Sequence, residues 1–411
     1  MEVPSELRCV LRLRGRPGLS RAFVATERGP PVTVTERVEF VMGHLAEIAP
    51  DAGARIGGLI DAERRRGRGA VSKRSGRFEK ETREEIDDGW GALGTLDALK
   101  TNIHVEKPRS IITKNDSRDI SFDRSINPYR GCEHGCVYCF ARPTHAYMGL
   151  SPGLDFETEI FVKDGAAQIL ERELSAPNYV PKMIAIGSNT DPYQPAERRH
   201  RVMRSILEVL ARAKHPVGIV TKSALVLRDL DLLAPMAEQG LVKVALSVTT
   251  LDPRLARIME PRAATPERRL DAIEKLAAAG VPVAVMTAPI IPAVNDEEIE
   301  TILTRAHAAG AREAGYIMLR LPLELRDIFS EWLVANFPDK ARRALSLVRS
   351  TRGGKIYDAA FGKRMTGDGP YAWMIGRRFE VASKRLGFSQ TRLRTDLFEP
   401  PRRAPQQLAL F

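Results

Sequence analysis

The sequence predicts an α/β protein built on a partial (β/α)6 barrel of the TIM type, with a helical C-terminal extension and an irregular basic N-terminal region. Three observations lead there. Between residues 119 and 320, short apolar runs alternate with amphipathic stretches at about 30 residues per unit, the spacing of parallel strands joined by helical crossovers. Polar residues gather directly after each apolar run, where parallel α/β folds place their sites. Three of the four cysteines fall within eight residues near the start of this region.

In chain order, residues 1–57 are weakly patterned, with Pro/Gly clusters such as RGPPVTV, a short helix candidate at 38–49, and Met42 as an alternative start. No function is assigned to them. Residues 58–118 read as a basic extended arm, because ERRRGRGAVSKRSGRFEK holds eight Arg and Lys residues and little apolar content. Such a run is expected to be solvated; the alternative is an arm that grips nucleic acid through salt-sensitive phosphate contacts.

The core at 119–320 has strand candidates at 183–187, 217–221, 242–248, 281–287 and 315–319, with helices between them such as 198–213 and 266–279. The polar clusters that follow are 188–191, 222–223, 249–250 and 289–296. Counting the cysteine segment as the first unit gives the sixfold repeat. Residues 321–395 have helical periodicity at 323–337, 339–350 and 371–385, with the Gly-rich basic loop GKRMTGDGP among them. Residues 396–411, EPPRRAPQQLALF from Glu399 onward, form a flexible Pro/Arg tail ending in an apolar pentapeptide.

The 411 residues carry a formal charge of +11, and 43% are hydrophobic, enough for a full core. No apolar run is long enough to span a membrane, and the N-terminus lacks a secretory pattern; a cytoplasmic protein is expected. The positive charge fits either an Arg-rich soluble protein or one with a polyanionic partner. Cys9 is remote from the other cysteines, so a disulfide framework is excluded. A tight cysteine triplet in a reducing compartment points to a metal or cluster.

That triplet lies in SINPYRGCEHGCVYCFARPTHAY, with spacing Cys-x3-Cys-x2-Cys at Cys132, Cys136 and Cys139. A zinc site would need a fourth ligand, for which His134 and His145 are candidates. Three thiolates on a four-iron cube instead leave one iron open to a small chelating ligand, such as the amino and carboxylate groups of S-adenosylmethionine (SAM). The segment resembles the signature of the radical SAM superfamily, Cys-x3-Cys-x-aromatic-Cys, with Tyr138 at the aromatic position. The resemblance implies a [4Fe-4S] cluster on the three cysteines, SAM as cofactor, and Tyr138 against the adenine. It also implies an electron donor such as flavodoxin or ferredoxin, and reductive cleavage of SAM to a 5′-deoxyadenosyl radical that abstracts hydrogen.

The rest of the cofactor site is expected at the strand ends. In the family, the end of the second strand holds the methionine amino group; Gly187, Ser188 and Asn189 stand there. Asp191-Pro192 after them also reads as a simple turn or cap. Lys222 ends the third strand, where burial without a partner is costly; the methionine carboxylate is one partner, and a surface position is the alternative. Ser247 is a candidate for the ribose or carboxylate, and Arg262 for a carboxylate. Ile290, with Ile291, resembles the apolar turn that packs on adenine. Arg320, ending the sixth strand, is expected on the substrate side.

GCEHGCVYCFARPTH together with SNTDPYQPAE, VTKS and ALSVTT is similar to a subgroup related to spore photoproduct lyase, over about residues 75–395. That resemblance implies DNA as substrate and a repair lyase reaction. It departs in one respect: no cysteine follows Cys139 to return hydrogen to the product radical, which leaves Tyr193 as a candidate. The tail residues Gln407, Leu408, Ala409, Leu410 and Phe411 resemble the pentapeptide that bacterial proteins use to bind the sliding clamp, with three apolar side chains for a pocket. Two other readings stay open: radical SAM modification of tRNA or protein, and an iron–sulfur protein that only transfers electrons.

Overall fold

The computed structural model describes residues 65–79 and 98–401. The expectations for residues 1–57, for Met42 and for the clamp-like Gln407 to Phe411 lie outside these residues.

The described residues contain ten strands: β1 (Asn102–Glu106), β2 (Thr113–Lys114), β3 (Arg124–Ile126), β4 (Tyr129–Arg130), β5 (Glu159–Lys163), β6 (Ile184–Ile186), β7 (Val217–Thr221), β8 (Val242–Ser247), β9 (Val283–Ile290) and β10 (Glu313–Met318). Seven form one sheet in the order β10-β9-β8-β7-β6-β3-β2. From β3 through β6, β7, β8 and β9 to β10, every neighbouring pair is parallel. The six parallel strands thus run across the sheet in chain order, as successive strand–helix units require. β2 adds antiparallel on the far side of β3, so β10 and β2 are the two edges. The sheet is the expected partial barrel.

The first of these strands is only three residues long and buried throughout, which gives a sequence no alternation to read. The strand expected at 217–221 is found with those bounds. β9 runs on to Ile290, three residues beyond the expected end. The helix expected at 198–213 is two, Glu197–His200 and Val202–Arg212, broken at Arg201 with φ 52°. The cause is Glu197, whose carboxylate turns back to accept from the backbone N–H of Met203 at 3.0 Å and so caps the second helix. Pro266–Ala278 opens as its sequence suggests, with Pro266 in the first turn and Thr265 accepting from Arg268 N.

Two apolar clusters organise the chain. The main one lies between the parallel sheet and its helices, and also takes Ile375 and Phe379 from the C-terminal helix Gly369–Leu386. The second lies under the cysteine segment. There Val137 and Tyr138 pack with Leu325–Asn336 and Pro338–Ser350 through Phe329, Trp332 and Leu345, and with Ala70 and Val71.

Those last two residues correct the expectation of a solvated arm. Arg68, Ala70, Val71 and Ser72 are buried. The positive charges of this stretch meet carboxylates of the body: Arg74 pairs with Asp327 and Glu331, and Arg77 with Glu324. Further along, β1 joins β5 in a small second sheet. The start of the expected flexible tail is also docked: Phe398 packs on Tyr179 and His215, and Glu399 N donates to Ala213 O. Its residues up to 401 therefore belong to the body.

Candidate active site

Cys132, Cys136 and Cys139 lie on the loop that follows β3 and the short β4. All three thiols are free; the first two are buried and Cys139 half-buried. The loop holds its shape through Gly135, which has φ +68° and where a Cβ would stand 2.6 Å from the Glu157 carboxylate, a place only glycine fills. Beneath it, Arg142 donates to Cys136 O (2.9 Å), Gly153 O (2.7 Å) and Gly135 O (3.1 Å), and pairs with Glu157 at 2.5 Å. Both members of that pair are fully buried. Glu157 also accepts from the backbone N–H of Gly69 and Ala70, each at 2.8 Å. From the other side, Gln194 accepts from Glu133 N at 2.9 Å and donates to Gly131 O at 3.1 Å.

Burial pushes all three thiols up, and the thiol of Cys132 is raised further by Asp191 and by the other two sulfurs. The three sulfurs therefore sit within one another's field. Lys222 opposes the shift at Cys136 and Cys139. Its ammonium lies 5.7 Å from the centre of the Tyr138 ring and makes no ion pair with the described residues.

Asp191 ties the ends of β6 and β7 together. It accepts from Tyr193 N (2.9 Å), Thr221 Oγ1 (2.7 Å) and Lys222 N (2.7 Å), with His134 Nδ1 at 3.3 Å. Burial works against its charge, but His134 and these donors prevail and hold its carboxyl at about 2. Gly187 has φ +86°, and a Cβ there would stand 2.2 Å from Val220 O. Asn127 Oδ1 accepts from Asn189 N at 2.9 Å, and its Nδ2 reaches Ser188 Oγ at 3.4 Å. Gly187, Ser188 and Asn189 are half-buried, at the same end of the sheet as the thiols.

Tyr138 is buried with its hydroxyl on Glu260 and 3.3 Å from Thr249 Oγ1. Glu260 also accepts from Thr249 Oγ1 at 2.7 Å and pairs with the buried Arg269, which donates to Ser247 O at 2.9 Å. Ser247 is thus fixed through its carbonyl. Ile290 is buried at the end of β9. The turn after it is held by Asn295, which donates to Thr249 O (2.8 Å) and Pro289 O (3.0 Å).

Two expected residues are placed elsewhere. Arg262 does meet a carboxylate, but it is the chain's own Glu133 at 3.1 Å; its neutralised charge secures the cysteine loop. Tyr193 lies fully buried in the main core beside Asp229, with Arg228 5.9 Å from its ring centre. The turn made by Asp191 carries it there, away from the hydrogen-donor role. Arg320 lies over the ring of Phe140, 4.9 Å from its centre and next in sequence to Cys139. Sequence reasoning missed Asn127, Arg142, Glu157, Gln194, Arg269 and Asn295. Asn127, Arg142 and Gln194 lie inside the cysteine segment and the SNTDPYQPAE motif, and a polar residue beside such apolar neighbours is the signal they carry.

The donor set fits a thiolate-bound iron–sulfur cluster: three soft sulfur donors on one short loop, with a free ammonium beside them. The histidines do not complete a zinc site. His145 is turned to Glu159 O at 3.0 Å, and burial lowers it to about 4; His134 faces Asp191. Among the described residues, no three His, Cys, Asp or Glu side chains gather around one point as a single-ion site requires.

Comparison with known proteins agrees. The model of the radical SAM superfamily matches residues 126–306. An uncharacterized protein of Mycobacterium tuberculosis is 41% identical over 232 residues, covering 56% of this chain and 68% of that one. An uncharacterized protein of Methanocaldococcus jannaschii is 28% identical over 173 residues, covering 42% and 62%. Among solved structures, spore photoproduct lyase complexed with dinucleoside spore photoproduct aligns with a TM-score of 0.49 and 17% identity, over 69% of this chain and 78% of that one. The chain belongs to the radical SAM superfamily. It is an enzyme that works with a [4Fe-4S] cluster and S-adenosylmethionine. No helix among the described residues is long and apolar enough to cross a membrane.

Proposed function

We propose that Cys132, Cys136 and Cys139 hold the cluster, and that the enzyme abstracts hydrogen from a component of DNA in a repair reaction. The observation that carries the assignment of the site is the free Lys222 ammonium among three free thiols at the carboxyl ends of β3 and β7. When bound, the cluster and SAM supply a 5′-deoxyadenosyl radical; the chain's residues bind, orient and exclude water. Lys222 takes the methionine carboxylate, since it is the cation there that has no carboxylate of its own among the described residues. Gly187, Ser188 and Asn189, steadied by Asn127, face the methionine amino group. Tyr138, Ser247 and Ile290 line the nucleoside, with Glu260 and Arg269 fixing the tyrosine from behind. An electron donor such as flavodoxin or ferredoxin feeds the cluster.

The DNA reading is supported by the resemblance of the cysteine and strand-end motifs to the spore photoproduct lyase subgroup and by the charge of +11. The hydrogen donor to the product radical differs from that subgroup, because no cysteine follows Cys139. The test is 5′-deoxyadenosine output from anaerobically reconstituted, reduced enzyme with ultraviolet-damaged DNA, intact DNA or tRNA. Stimulation by damaged DNA is expected. Stimulation by tRNA alone would replace this reading with RNA modification, and no cleavage by a fully loaded enzyme would favour simple electron transfer.

A further inference from the structure

Two guanidinium groups come near each other beyond the end of β10, and neither makes an ion pair with a carboxylate among the described residues. Arg352 is 2% exposed and donates to Leu319 O at 2.8 Å and Lys363 O at 2.7 Å, both neutral acceptors. Half-buried Arg320 has, among the described residues, the Met365 sulfur as its one hydrogen-bond partner, at 3.5 Å from its Nη1. The Nε of each is buried without an acceptor. They feel each other: burial lowers Arg352, and the charge of Arg320 lowers it further. The acidic groups around them are engaged. Asp119, within the field of Arg320, is held by Gly362 N and Arg364, and Asp358, half-buried and within the field of Arg352, has its carboxylate on Ala360 N.

Like charges brought together and partly desolvated favour an anion between or beside them, and arginine forks match phosphate oxygens. The position suits a substrate. Arg320 lies on Phe140, the residue after Cys139, and Phe140 is 40% exposed. Phe361, 55% exposed on the loop that Arg352 holds through Lys363 O, offers a second aromatic face. Exposed rings beside cations are what bases and phosphates recognise.

We propose that Arg320 and Arg352 form a phosphate subsite for a nucleic-acid phosphodiester at the open end of β10, with Arg320 in contact and Arg352 as the charge behind it. This rests on the reading of the enzyme as acting on nucleic acid and deepens it.

The test is equilibrium binding of labelled dinucleotides to the reconstituted full chain with SAM. Three probes are compared: thymidylyl-thymidine, its neutral methylphosphonate analogue, and uridylyl-uridine. The wild type is expected to prefer the charged thymidine probe over its neutral analogue by roughly tenfold or more. Arg320→Gln should erase that preference, and Arg320→Lys should keep part of it. Arg352→Gln should reduce it; should that buried variant fail to fold, Arg320→Gln decides alone. Equal affinity for charged and neutral probes, no binding of any probe, or a preference that survives Arg320→Gln would overturn the subsite. An intact phosphate preference without stimulation by damaged DNA leaves the subsite standing and removes the repair reading. Tighter binding of uridylyl-uridine identifies RNA as the source of the phosphodiester.

Discussion

Asp119 and Arg364 join the two edges of the open sheet. Asp119 comes from the loop between β2 and β3 and Arg364 from the loop beside β10, where Met365 O accepts from Met318 N at 2.8 Å. Gly362 N adds a 2.6 Å bond to the same carboxylate, and Arg364 also reaches Ser117. The barrel's open side is thereby latched at the level of Arg320.

This latch has a pH signature. The Gly362 N–H and the Arg364 guanidinium, helped by the charge of Arg320 and against some burial, hold the Asp119 carboxyl below the usual aspartate range. A carboxyl depressed in the folded state contributes its stability above the ordinary aspartate value and loses it as pH falls through the depressed one. Hydrogen exchange in 358–367, taken relative to the intrinsic amide rate at each pH, should therefore stay flat from neutral down to about pH 5 and rise only in stronger acid. Asp119→Asn should raise it already at neutral pH; unchanged exchange in that variant would show that the pair closes nothing.

Glu260 and Arg269 are 0% and 1% exposed at their side chains. Removing one partner leaves the other charged and buried, at a cost of about 3–5 kcal/mol. Glu260→Ala should show that loss in denaturant unfolding, and Glu260→Met with Arg269→Met should recover much of it. A single variant as stable as wild type would mean that the pair is more hydrated than its burial indicates.

Lys222→Met should weaken SAM binding by roughly tenfold, the worth of one charge-assisted hydrogen bond, while iron content stays at the wild-type level. Loss of iron together with SAM affinity would instead assign Lys222 to the cluster loop itself.

Gly187→Ala forces a side chain into a left-handed conformation and against Val220 O. The expected destabilisation is about 1–3 kcal/mol, with weaker SAM binding because the junction of β6 and β7 must open. An alanine variant with unchanged melting temperature and SAM affinity would show that the junction yields freely.

The six-strand order and the cysteine loop were legible because both are local patterns: apolar period, strand-end polarity and ligand spacing. The residues that hold the loop were not, because their partners are distant. Arg74 reads as one more charge in a basic run until Asp327 and Glu331 are folded against it. Arg262 was expected to seek a carboxylate and did, but sequence could not say that Glu133 would supply it. Tyr193 follows the right strand, yet the Asp191 turn rotates it into the core.

The strap at residues 68–74 couples the cysteine loop to the C-terminal helices. Gly69 passes so close to the cysteine loop that a Cβ on it would stand 1.8 Å from Gly135 O, and Ser72 is anchored 2.6 Å from Glu331, 259 positions later. During synthesis the strap emerges first; its anchors on Glu157 follow about 90 residues later, whereas those on Asp327 and Glu331 wait for the C-terminal helices. The strap is therefore held at both of its ends only once the last helices are made, and the loop that carries the thiols gains its full support at the end of the chain's synthesis.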